Sequence, residues 1–214
     1  MILKGYIFTY LYLLLILLLS SVLNKYFNIK QSITRKLVHI SISYCYVIFY
    51  KYLKESIHPV IISVSFIFFN YLSYKYDIFK GMENDKQSLG TIYYPISVAI
   101  MALITYFNND FYPFFGIGLF CMAFGDGLAP LISSKVKSRK IYKEKTIVGA
   151  LTVFIVSLIV VVIFNNIFLL NMNIISILII SLISMLLELV GIKGLDNLYL
   201  PIGISIISYL IGGF

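Results

Sequence analysis

The sequence has no tryptophan, two cysteines, two histidines and nine acidic residues among its 214 positions. Each shortage excludes something. Cys45 and Cys121 lie inside apolar tracts, which suggests neither a disulfide framework nor a zinc site. His39 and His58 alone do not make a histidine-rich metal centre. Charged residues are 12% of the chain and hydrophobic ones 60%, with a mean hydropathy of +0.96. That leaves too little polar surface to cover a soluble core. The net charge of +8 would point to nucleic acid in a soluble protein. Here the lysines and arginines fall between hydrophobic tracts, so membrane topology accounts for them and no nucleic-acid partner is expected.

Long uncharged runs are what the chain does have. Tyr6–Leu23 and Ile147–Phe164 carry no charge and reach the length of about 20 residues at about 1.5 Å each that a bilayer requires. The first run is longer than a signal-peptide core and lacks an A-x-A-like site before Asn24-Lys25, so it reads as a retained span. About eight spans are expected, near residues 6–23, 37–53, 59–76, 91–107, 111–134, 147–164, 167–187 and 198–213. Seven remain possible, because only Asn165-Asn166 parts the sixth from the seventh. The tracts are too long and too continuously apolar for barrel strands. The expected fold is an all-α polytopic transmembrane bundle, one integral membrane domain over residues 1–214. Fourteen of the seventeen basic residues fall in the odd-numbered loops. The positive-inside rule then puts those loops in the cytosol and both termini on the non-cytosolic side. Most acids share that face, where a nucleotide would be met.

The most informative segment is Cys121-Met122-Ala123-Phe124-Gly125-Asp126-Gly127-Leu128-Ala129-Pro130. An ionised carboxylate within a span costs roughly 2.5–3.5 kcal/mol on insertion scales, so Asp126 is expected to face a polar cavity, a cation or a partner. Gly125 and Gly127 allow close approach, and Pro130 cannot donate to the Asp126 carbonyl. Together they predict a locally opened helix and a region suited to Mg²⁺ or phosphate; the alternative is a kink with Asp126 paired to a lysine. Lys145 and Thr146 open a span with Gly149 one turn on, a pattern that could hold phosphate oxygens or anchor lipid heads. Arg35-Lys36-Leu37-Val38-His39 sets Arg35 and His39 one turn apart, facing phosphate, a headgroup or the interface. Ser88, Gly90 and Thr91 make an anion site or a cap. Glu188, Asp196 and Asn197 flank the last loop, as helix caps with Glu188 paired to Lys193, or as a metal site that positions an attacking hydroxyl. No Walker A loop or Rossmann fingerprint occurs.

Taken in this order, the segments resemble the polyprenol kinase family, which includes dolichol kinases, phytol kinases and CTP-dependent diacylglycerol kinases. The matching pieces are Arg35–His39, Ser88–Thr91 with Tyr94-Pro95, Gly125–Ala129, Lys145-Thr146 with Gly149, and Asp196-Asn197 with Pro201. Val148 and Ala150 depart from that pattern, as does Ser133-Ser134-Lys135. The resemblance implies transfer of the γ-phosphate of CTP to a membrane lipid alcohol, with a divalent cation such as Mg²⁺. By the same analogy Asp126 and Asp196 serve as metal ligands, with Lys145, Thr146 and Asn197 nearby. The proton of the acceptor hydroxyl is assigned to Asp196, with Glu188 behind it. The partners implied are a lipid substrate, a nucleoside triphosphate and the bilayer, in a bacterial or archaeal cytoplasmic membrane. A CDP-diacylglycerol synthase is the alternative, although the short segment from Glu188 to Pro201 lacks that enzyme's longer basic signature. An ion-coupled transporter is a second alternative, with Asp126 as the coupling site.

Overall fold

Each apolar tract folds as helix. In a computed structural model, which describes residues 1–76, 89–191 and 194–212, the chain forms α1 (Ile2–Phe27), α2 (Gln31–Ser43), α3 (Cys45–Tyr52), α4 (His58–Tyr76), α5 (Gly90–Phe107), α6 (Tyr112–Ser133), α7 (Ile147–Phe168), α8 (Ile174–Val190) and α9 (Asp196–Gly212). Among the described residues, four helices are long and apolar enough to cross a membrane: α1, α5, α6 with the short turn before it, and α7; α8 is apolar but shorter.

The burial pattern differs from that of a water-soluble bundle: the outer surface is apolar as well as the core, and small polar residues are buried among the helices. Leu14, Leu15 and Leu18 on α1 and Ile155, Ile159 and Ile163 on α7 are exposed, whereas Ser157, Ser181, Ser184 and Ser205 are fully enclosed. In lipid the outward face gains nothing by hiding, and close packing of small polar residues holds the helices together. The Ser157 and Ser184 hydroxyls meet at 2.7 Å between α7 and α8.

Helix α6 is the central post. It packs against α7, α9 and α2, and its residues from Phe114 to Ala123 are all buried. Gly118 is where α6 comes closest to α9: a Cβ there would meet the Pro201 carbonyl and the Ser205 side chain. The predicted opening before Pro130 is not seen, since α6 runs unbroken through it to Ser133. One missing helical bond is tolerated because α7 and α9 hold this helix along its length.

Other departures have local causes. The second tract is two helices that meet at Tyr44. Helix α7 continues through Asn165-Asn166, and the chain turns at Leu169 and Asn171, both with positive φ. The Asn165 side chain accepts from Met172 N–H at 2.9 Å, and Asn173 caps α8 by accepting from Ser176 N–H at 2.8 Å. The seventh tract is therefore helical from Ile174 rather than Ile167. The basic loop contains a hairpin, β1 (Lys140–Tyr142) with β2 (Lys145–Thr146), turning at Lys143 with φ 48°.

Candidate active site

The C-terminal parts of α6 and α8 meet the N-terminal parts of α2 and α9 and the strand leading into α7, and α9 in turn meets the start of α5. Five elements supply the charged groups gathered there. Asp126 projects from α6, Glu188 from the last turn of α8 and Asp196 from the first residue of α9. One ligand oxygen from each lies within 4.8 Å of the others. Lys36 on α2 donates to Asp126 Oδ2 at 2.6 Å, and Lys145 on β2 donates to Glu188 Oε1.

Three carboxyl groups therefore face two ammonium groups in a half-enclosed site. Glu188 is the deepest, with its side chain 6% exposed, and its second oxygen is buried without a partner. Burial works against the charge on Lys145, but the Glu188 carboxylate, joined by Asp126 and Asp196, holds its pKa above the ordinary lysine value. The donors are all oxygens, which suits a hard divalent cation, and the unpartnered Glu188 oxygen is the kind of atom such an ion would satisfy.

Thr146 caps α7, its Oγ1 accepting from Gly149 N–H at 3.1 Å. Its hydroxyl proton can still be donated. Asn197 is buried behind Asp196, donating to the Gly90 carbonyl at 3.0 Å and so tying α9 to the start of α5. Gly125 faces Val153 on α7, and Gly127 faces Ile40 on α2. Both glycines let those helices approach the Asp126 turn. Ser88 lies outside the described residues, as does Lys193, the partner expected for Glu188; the observed partner is Lys145.

Arg35 does not join the cluster but lines a largely apolar cavity of about 160 Å³ beside it, together with Gly90, Thr91 and Asn197. The inner wall includes Leu13, Phe49, Ile62 and Val98. His39 belongs to both places. It lines the cavity, stands 3.8 Å from Asp126 and contacts Met122 Sδ through Nε2 at 3.0 Å. Tyr94, one of the residues that carry the resemblance, also lines the cavity, as does Asn70, to which no role was assigned from sequence. Asn70 donates to the Thr91 carbonyl at 2.8 Å. A lone amide within the third apolar tract was its available signal, as polar groups in such tracts usually have a task.

Fold and site together define a helical membrane protein with a carboxylate–lysine cluster at one end of its bundle, opening beside an apolar cavity. Compared with known proteins, the chain is 28% identical to a phytol kinase of Synechocystis sp. over 206 aligned residues, which take in 92% of this chain and 87% of that protein. This similarity supports assigning the chain to the polyprenol and phytol kinase family. No family model matches the chain, and no solved structure matches it significantly.

Proposed function

We propose that the chain is a lipid-alcohol kinase that moves the γ-phosphoryl group of CTP onto the hydroxyl of a phytol-like alcohol, polyprenol or diacylglycerol. The observation that carries this reading is the adjacency of cluster and cavity through His39 and Asn197. A lipid chain fits the apolar wall, and its hydroxyl then emerges beside carboxylates and lysines. The relative's name makes a phytol-like alcohol the first acceptor to test.

Phosphoryl transfer asks a protein chiefly for positioning and charge neutralisation. In the proposed step the lipid oxygen bonds to the γ-phosphorus as the bond to the β–γ bridging oxygen breaks. The hydroxyl proton passes to Asp196, with Glu188 behind it, and CDP leaves. Lys36 and Lys145 neutralise phosphate oxygens, and Thr146, at the positive end of α7, donates to one. Arg35, at the cavity edge, meets a phosphate or the headgroup region. A Mg²⁺ ion held by Asp126 and Asp196, with Glu188, would supply further neutralisation of the triphosphate. The charge asymmetry of the loops supports eight spans, with the cluster on the cytosolic side of a bacterial or archaeal cytoplasmic membrane.

The test is a matrix. Purified protein with Mg²⁺ is given CTP, ATP, UTP or GTP against phytol, a polyprenol and a diacylglycerol, and phosphorylated lipid is measured. The reading predicts product from CTP with at least one alcohol and none after chelation of the metal. Absence of phosphorylated lipid from every pair, in folded protein, would overturn it.

A further inference from the structure

Among the described residues, three buried side-chain atoms lack a hydrogen-bond partner: Glu188 Oε2, Ser208 Oγ and the Tyr94 hydroxyl. The first belongs to the carboxylate cluster, and Ser208 is not part of the cavity lining. Tyr94 is. It stands on α5, 4% exposed, with its ring stacked on His39 at a centroid distance of 4.6 Å. Besides His39, the nearby titratable groups include Cys45 on α3 and Tyr12 on α1. The Tyr12 hydroxyl is already committed to the Ser41 carbonyl at 2.8 Å.

A buried hydroxyl with no partner is destabilising. Phenylalanine would fill the same space and stack on His39 without that cost. The fold therefore carries, in a residue of the cavity wall, a polar atom that no group among the described residues satisfies. For a guest with a hydrocarbon chain, the atoms able to do so are its oxygens.

Resting on the lipid-kinase reading of the neighbouring cluster, we propose that Tyr94 is a specificity-determining residue whose hydroxyl hydrogen-bonds an oxygen of the lipid alcohol seated in the cavity. That oxygen is the reacting hydroxyl in a plain isoprenoid alcohol. In a glyceride it is either the hydroxyl or an ester carbonyl.

Tyr94→Phe in the full-length protein separates these cases. Thermal unfolding in detergent is followed without nucleotide, with and without phytol or a short-chain diacylglycerol, and KM is measured for lipid and CTP separately. Without lipid the variant is expected to unfold at the same temperature as wild type or higher, because an unpaired hydroxyl has gone. With lipid it is expected to bind about tenfold more weakly, the loss of one good hydrogen bond, with KM for CTP unchanged. Weakening with phytol supports the bond to the reacting hydroxyl; weakening with the glyceride alone overturns the proposal for plain alcohols. Equal lipid affinity in variant and wild type overturns the proposal. Were wild type stabilised by lipid but unable to phosphorylate it, and the variant not stabilised, the kinase reading would fall and the Tyr94 assignment would stand.

Discussion

Asp126 and Glu188 answer the same problem in different ways. Each is a carboxylate in a poorly hydrated place, and each is held by one lysine from another element. Lys36 reaches Asp126 across 90 residues of sequence, and Lys145 reaches Glu188 across 43. An Asp126→Asn substitution keeps an oxygen that can accept from Lys36 but removes the charge. It should leave the fold intact and lower lipid phosphorylation at least 100-fold, as read by product formation and thermal unfolding side by side. Lys145→Met leaves Glu188 buried and alone. The expected loss falls below the roughly 3–5 kcal/mol of a fully buried pair, because Lys145 is a third open to solvent. Adding Glu188→Gln to that variant should restore much of the unfolding temperature and none of the activity. The raised pKa of Lys145 sets the pH sign: its contribution is complete below the ordinary lysine range and fades as pH rises through the higher folded value. Sequence marked these side chains as candidates, because acids are scarce between apolar tracts. It did not reveal the pairings, which are made across helices far apart in the chain. Glu188 had an obvious local candidate in Lys193, which lies outside the described residues; the partner seen among the described ones is Lys145, 43 positions away in the chain.

Elements carry the next level of the account. Helix α6 presents glycines to different neighbours, and the neighbours set the cost of filling them. At Gly118 an added methyl meets the backbone of α9, which cannot rotate away. Gly118→Ala should cost at least the upper end of the roughly 1–3 kcal/mol typical of overpacking, and it should lower activity by shifting Asp196 and Asn197. At Gly127 the obstacle is the flexible end of Ile40, with Cδ1 at 2.6 Å. Gly127→Ala should therefore unfold closer to wild type; thermal unfolding in one detergent ranks the two. The helices were legible in the sequence because charged residues punctuate most apolar tracts, although the amide pair Asn165-Asn166 marked no break, since α7 runs through it. Breaks without such punctuation were not, as at Tyr44 between α2 and α3. Pro130 misled in the opposite sense: its missing N–H is real, but packing on several sides keeps α6 continuous. The hairpin at Lys140–Thr146 was hidden by its own composition, which reads as a lipid-facing basic loop.

At the scale of the whole molecule, apolar residues cover the outside as well as the core, small hydroxyl residues are buried between helices, and three carboxylates and two lysines gather at one end. The topology proposed from the basic residues can be checked without disturbing that arrangement. Cys45 and Cys121 are buried, so a reporter cysteine at an exposed position should be the one labelled. Lys143→Cys, on the hairpin, should react with an impermeant thiol reagent only when the cytosolic side is open. Lys54→Cys should react in intact cells. The reverse result would invert the orientation. Cluster and cavity are brought side by side, through His39, only by tertiary packing, which is why sequence pointed to phosphate chemistry but not to the adjoining chamber. The most direct measurement of the central claim follows two labels of CTP into lipid. Protein with Mg²⁺ and phytol, or with phosphatidate, is supplied with CTP labelled at the α- or the γ-phosphorus, alongside the Asp126→Asn variant. The account predicts γ-label in a phosphorylated alcohol, lost in the variant, and no α-label in any lipid. Alpha-label in a CDP-lipid would make the protein a cytidylyltransferase, and no label in lipid from either position would contradict the proposed chemistry altogether.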